Sequence, residues 1–170
     1  MLDPLELRNE LDKLSQAKNN LPLSFQVYSS DKLTRQFPNN PEVIYEHVKI
    51  LNEMQDFVTA VHYIEKCISL SPKENYFLEA AQIYSRMGDY SVSTARAKSA
   101  IEVSNGSPSA LLALIYSYET AGNTESFEEA INKYKKIIEN NELYPLIMAR
   151  LLVLKKDFSS AIDLTRHFLE

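Results

Sequence analysis

The chain of 170 residues holds only three glycines and one cysteine, and no apolar run approaches the ~20 residues of a membrane span. With so little glycine there is no glycine-rich phosphate loop. A single cysteine, Cys67, excludes an internal disulfide. Met1-Leu2-Asp3-Pro4-Leu5-Glu6 has neither a basic segment nor an apolar core, so no signal peptide is expected and the expected location is cytoplasmic. Positive charge is also short. The net charge is −5 and the pI near 5.3, which argues against a nucleic-acid partner, for which a basic face is wanted. The three histidines, His47, His62 and His167, include no pair three or four residues apart, the spacing that sets two imidazoles on one helical face for a metal. No metal, cofactor or catalytic residue is expected.

What the chain does contain is a repeat. Met54-Gln55-Asp56-Phe57 leads to Ala60, Met87-Gly88-Asp89-Tyr90 to Ser93, Ala121-Gly122 through Phe127 to Ala130, and Lys156-Asp157-Phe158 to Ala161. The second residue of each turn falls at 55, 88, 122 and 156, steps of 33, 34 and 34. A period of that size predicts a helical-repeat solenoid. Apolar positions keep the register: Leu51, Tyr84, Tyr118 and Leu152 stand four residues before the turn residue, and Val48, Ala81, Ile115 and Ala149 seven before. A small side chain one helical turn from a larger one lets two helices approach closely. On the second helices Ala60, Ser93, Ala130 and Ala161 are expected to supply the small residue, with Cys67, Ala100, Ile137 and Phe168 seven residues later on the same stripe. Cys67 is therefore expected to be buried and inert. Pro41 and Pro108 each open a first helix. Pro72 and Asn105-Gly106 close second helices. Asp56, Asp89 and Asp157 are expected to cap the helix that follows each turn.

These residues resemble the tetratricopeptide repeat, whose motif has an aromatic or aliphatic residue early in the first helix, a small pair, a Tyr, a Gly-x-Tyr turn, alanines and a closing Pro. Residues 74–107 match best through Phe77, Ala80-Ala81, Tyr84, Gly88, Tyr90 and Ala100. Residues 41–73 have Gln55 for the turn glycine, and residues 108–141 keep Gly122 with three extra residues before Phe127. Residues 142–170 keep Ala149, Leu152, Phe158 and Ala161 but have Pro145 near the start and lack the glycine. The resemblance implies an all-α fold, a right-handed solenoid of stacked antiparallel helix pairs. Its four units would span 41–73, 74–107, 108–141 and 142–170.

Residues 1–40 are read as a divergent first helix pair, continuous with the rest as one domain. Leu5, Leu7, Leu11 and Leu14, then Leu23, Phe25, Val27, Leu33 and Phe37, have near-helical spacing ahead of Pro38-Asn39-Asn40-Pro41. At the other end the chain stops within or just after the second helix of the fourth unit, leaving Ile162, Phe168 and Leu169 with little to cover them. Three explanations are weighed: a piece of a longer protein, end-to-end packing with another copy, or a docking patch.

The resemblance also implies where a partner would bind, since the concave groove of such arrays is lined mostly by the first helix of each pair. The candidates are Glu42, Tyr45, Glu46, Lys49 and Glu53, then Asn75, Leu78, Glu79, Gln82 and Arg86, then Leu112, Tyr116 and Glu119, and finally Leu146 and Arg150. This groove begins acidic and becomes apolar and aromatic, which complements a peptide or helix with a basic end and apolar anchors. Co-chaperone members of the family hold acidic tails with a clamp of lysine, asparagine and arginine. Here Tyr45 and Leu78 stand at clamp positions, Glu46 and Glu79 add repulsion, and Lys49, Asn75 and Arg86 do not complete the set, so an acidic tail is not the expected ligand. The expected function is a non-catalytic adaptor, scaffold or chaperone-like module. The alternatives are the repeat segment of a larger enzyme such as a transferase, or a secretion or assembly factor, which usually needs a lipidation cysteine near the start.

Overall fold

The computed structural model describes residues 4–17, 21–140, 142 and 144–166. Within them lie ten helices and no strand: α1 (Pro4–Ala17), α2 (Leu23–Gln36), α3 (Pro41–Glu53), α4 (Phe57–Leu70), α5 (Glu74–Arg86), α6 (Tyr90–Ser104), α7 (Pro108–Thr120), α8 (Thr124–Ile138), α9 (Tyr144–Leu154) and α10 (Phe158–Arg166). His167, Phe168, Leu169 and Glu170 lie outside the described residues, as do the side chains of Leu5 and Leu14.

The four turns share one construction. At each, the residue after the helix cap takes positive φ: Gln55 (63°), Gly88 (81°), Gly122 (66°) and Lys156 (63°). The next N–H then reaches back to satisfy an orphan carbonyl of the first helix: Asp56 donates to Leu51, Asp89 to Tyr84, Asn123 to Tyr118 and Asp157 to Leu152, at 2.9–3.0 Å. The same four residues cap the following helix. Asp56, Asp89, Asn123 and Asp157 accept from the N–H of Thr59, Val92, Ser126 and Ser160. One residue thus ends one helix and starts the next, which fixes the turn length and returns the chain antiparallel. Pro41 and Pro108 each occupy the first helical turn behind Asn40 and Ser107, whose side chains accept from Val43 and Ala110 N–H groups.

This geometry corrects the expected alignment of the third unit. Phe127 donates its N–H to the Asn123 carbonyl as Ala60, Ser93 and Ala161 do to Asp56, Asp89 and Asp157. No residues are inserted. The position expected to hold Ala130 holds Phe127, fully buried, and Ala130 lies almost one turn further along the same buried face. Ile137, expected on the buried stripe, is 45% exposed, and Ile138 is buried instead. A helix carries residues 127, 130, 131 and 138 on one side, so the spacing to the nearest alanine was a poor guide to the seam.

Each helix packs on its neighbour in the chain, and α5 also meets α7, and α7 meets α9. The first helices therefore crowd side by side on the inner face. Between the layers runs an almost continuous core. Ile44, Val48, Ile64, Cys67, Tyr76 and Ile83 fill it near α3 to α5, Ala97, Ala100 and Ala110 thin it at the middle, and Leu111, Phe127, Ile131, Ile138 and Ile147 fill it near α7 to α9. Burying each of the larger side chains stabilises by roughly 1.5–3 kcal/mol. At the N-terminal end Leu7 and Leu11 of α1 pack against Leu33, Phe37 and Val43.

Candidate partner-binding groove

The expected groove residues all belong to α3, α5, α7 and α9, and their exposure falls into two groups. Tyr116 and Leu146 are 47% and 46% exposed, while Tyr45, Leu78 and Leu112 are half-buried. Leu78, Gln82, Arg86, Leu112 and Tyr116 come together around a cleft of about 400 Å³ between α5 and α7. Ala81, Ala113 and Ser117 keep its floor low because none carries a long side chain. Glu42, Tyr45, Glu46 and Asn75 instead surround a separate hollow of about 390 Å³ shared with Leu11 and Asp12 of α1.

Several expected groove charges are engaged within the fold. Arg86 donates to the Asn52 side-chain oxygen (2.9 Å), and the Asn52 amide donates to Glu79 (2.6 Å). Asn52 is buried, so this triad ties α3 to α5. Arg150 pairs with Glu119 (3.0 Å) and ties α9 to α7. Glu46 pairs with Lys49 on its own helix, and Glu42 lies 3.7 Å from Lys73. The groove is consequently less acidic toward a partner than its residue types imply, because Glu42, Glu46, Glu79 and Glu119 already face a cation or an amide. These side-chain bonds were not anticipated, yet they carry a legible signal. Asn52–Arg86, Glu74–Ser107 and Glu119–Arg150 are separated by 34, 33 and 31 residues, close to the repeat length, as is the outer pair Glu65–Arg96 at 31. Polar residues about one period apart occupy equivalent places on adjacent units and meet.

The reactive candidates are structural. Cys67 is fully buried, its thiol contacts the Pro41 carbonyl at 3.4 Å, and burial pushes its pKa up to about 12, so no thiolate forms near neutral pH. His47 is buried as well. Its Nδ1 shares a hydrogen bond with Ser30 Oγ (2.8 Å) and its ring packs edge-on against Tyr63. Burial lowers its pKa, against the smaller opposing pull of Asp31 and Asp56. It therefore joins α2 to α3 as a neutral imidazole. His62 is exposed. Among the described residues no group of three or more His, Cys, Asp or Glu is placed to hold a metal, and no helix is long and apolar enough to cross a membrane.

Antiparallel helix pairs, stacked at a 33–34-residue period with first helices on the inner face, define a helical-repeat solenoid. The sequence signature of the tetratricopeptide repeat matches residues 41–74. That match covers one repeat unit, and the fold of the chain as a whole is the right-handed solenoid seen in tetratricopeptide-repeat structures. A tetratricopeptide repeat protein from Parabacteroides merdae superposes with a TM-score of 0.84 at 13% identity, over 98% of this chain and 66% of that one. A putative kinesin light chain from Podospora anserina, made of nearly identical TPR-like repeats, gives 0.82 at 14% identity over 98% and 94%. MamA from Desulfovibrio magneticus gives 0.76 at 14% identity over 96% and 93%. These likenesses are of fold. No curated protein matches the chain in sequence.

Proposed function

We propose that this chain is a non-catalytic protein-interaction module that takes an extended or helical segment of a partner protein along the face formed by α3, α5, α7 and α9. The fold supports protein interaction in general. The observation that carries the finer reading is the cleft between α5 and α7, where Tyr116 stands 47% exposed over a floor of small residues while the charged side chains nearby are held by neighbouring helices. An apolar cleft with a rigid aromatic on its rim is the kind of surface that supplies binding energy without ordering long flexible side chains. The partner's apolar anchors would enter here.

The same proposal treats residues 1–40 and the units 41–73, 74–107, 108–141 and 142–170 as one continuous domain acting in the cytosol. Self-association through α10, whose Phe158 and Ile162 are 58% and 55% exposed, is a separate reading, tested by sedimentation of the Ile162→Asp variant. For the groove, peptides selected from a random library on the immobilised chain should lose most of their affinity for Tyr116→Ala, whose melting should match the parent because the ring is half in solvent. Selected peptides that bind both proteins equally would place the interaction elsewhere.

A further inference from the structure

We propose that the hollow where α1, α3 and α5 meet is a cage for an arginine side chain of a basic partner segment, with Tyr45 as its aromatic wall and Asp12, Glu42 and Glu46 as its counter-charges. The proposal rests on the groove reading above and adds the chemistry and direction of one anchor.

Three observations converge. The first is shape and surface: about 390 Å³ of open space is bounded by Leu11 and Asp12 on one side and by Glu42, Tyr45, Glu46, Lys73, Asn75 and Tyr76 on the other. The Tyr45 ring is held rather than free, since it rests on the buried Tyr76 ring at 4.9 Å between centroids. The second is that cations already seek these ring faces. Lys49 Nζ lies 5.1 Å from the Tyr45 centroid and Lys73 Nζ 5.8 Å from that of Tyr76, distances at which a cation is attracted by the ring quadrupole. Both are the chain's own lysines, and Lys49 also pairs with Glu46. Lys73 is about half exposed and reaches Glu42 only at 3.7 Å, so a partner's cation would displace it at little cost.

The third observation is the balance of charge. Asp12, Glu42 and Glu46 line the hollow, and Glu42, Glu46 and Glu79 act on the two tyrosines, against Lys49 and Lys73. Burial, and only after it Glu79 and Glu46, pushes the Tyr45 phenol up to about 12. Burial likewise raises Tyr76 to about 12, followed by smaller contributions that include Glu42 and Glu46. A site with excess negative charge beside an oriented ring favours a guanidinium over an ammonium, because the planar fork stacks on the ring while its N–H groups bridge two carboxylates. The neighbouring α5–α7 cleft has the opposite character, apolar with its arginine already bonded to Asn52. A partner segment would therefore lie with its basic end at α3 and its apolar end at α7.

The test is a titration of two blocked peptides into the isotope-labelled chain. One carries two arginines followed by leucines, and the other has both arginines replaced by glutamates. The arginine peptide should shift the backbone amides of residues 42–49 and Asn75, and more weakly as salt rises. Tyr45→Leu keeps apolar bulk against Tyr76 and should weaken this peptide about tenfold. The Glu42→Gln, Glu46→Gln double variant alters only side chains that are exposed or half-buried, and should weaken it by a similar factor. Equal affinity for both peptides, or a double variant that binds as the parent does, overturns the cage. Shifts confined to Leu112 and Tyr116 and indifferent to these substitutions overturn the cage and leave the groove reading standing. An absence of shifts at both ends overturns both.

Discussion

The helix pairs of the second and third repeat units, α5–α6 and α7–α8, turn the same corner and then pack in different ways. In both, a glycine takes positive φ and the next residue caps the following helix, Asp89 in one and Asn123 in the other. One turn into that helix stands Ser93 in the second pair and Phe127 in the third, each with no exposed surface. Ser93 is small enough for α6 to lie close along α5. Its hydroxyl contacts the Ala81 carbonyl (2.8 Å) and Ser117 Oγ (3.0 Å), so the seam from α5 through α6 to α7 is polar and satisfied. Phe127 seals its seam with an aromatic ring, and α8 meets α7 over less of its length than α6 meets α5. A cleft of about 310 Å³ lined by Leu114, Tyr118, Ala130 and Tyr134 opens between α6 and α8. The turn sets where a second helix begins. The first buried side chain after it sets how near that helix comes, and one repeat length accommodates both solutions.

The largest test of this contrast is Phe127→Ala. If the ring holds α8 in place, the substitution leaves a cavity and costs about 3–5 kcal/mol, read from the urea midpoint. A loss below about 1 kcal/mol would mean that α8 settles onto α7 as α6 does on α5, and the contrast would fail. Next come the corners themselves. A Cβ added at Gly88 or Gly122 meets no atom within 4 Å, so alanine at either should cost only the left-handed backbone, about 1–2 kcal/mol and alike in the two pairs. Gln55 and Lys156 already bear that strain, and Gln55→Gly should raise the melting temperature. Unequal costs at Gly88 and Gly122 would show that the corners are not equivalent.

Smaller effects separate the polar seams. Ser93→Ala removes the bonds to Ala81 and Ser117, but Ser117 keeps its bond to the Ala113 carbonyl, so a loss of about 1 kcal/mol is expected, with no pH dependence of its own. The seam between α2 and α3 contains a titrating group instead. His47 is neutral when folded and its pKa is lowered, so the unfolded chain binds the extra proton. Its contribution is therefore fully present above the ordinary imidazole value of about 6.5 and is lost as pH falls below it toward the folded value. His47→Gln should flatten that part of the stability profile. A profile unchanged by the substitution would remove His47 as the cause.

Much of this architecture is readable along the chain. The turn residues at 55, 88, 122 and 156, the carboxylates at 56, 89 and 157, and the prolines at 41 and 108 act through bonds to residues a few positions away. Helix ends and the repeat period therefore follow from local chemistry. The groove was legible only in outline. Tyr116 and Leu146 are exposed as their placement on first helices implies, whereas Arg86, Glu79, Glu119 and Arg150 are bonded across helices.

By itself the sequence determined the helical repeat, its corners and the helices that carry each candidate side chain, because caps and backbone dihedrals are decided within one turn. Only the tertiary structure decided that Phe127 occupies the third seam, that Asn52 binds Arg86, and that Tyr45 rests on Tyr76 beside an open acidic hollow. Those outcomes depend on the distance between helices about one period apart, and that distance is set by all the side chains packed between them.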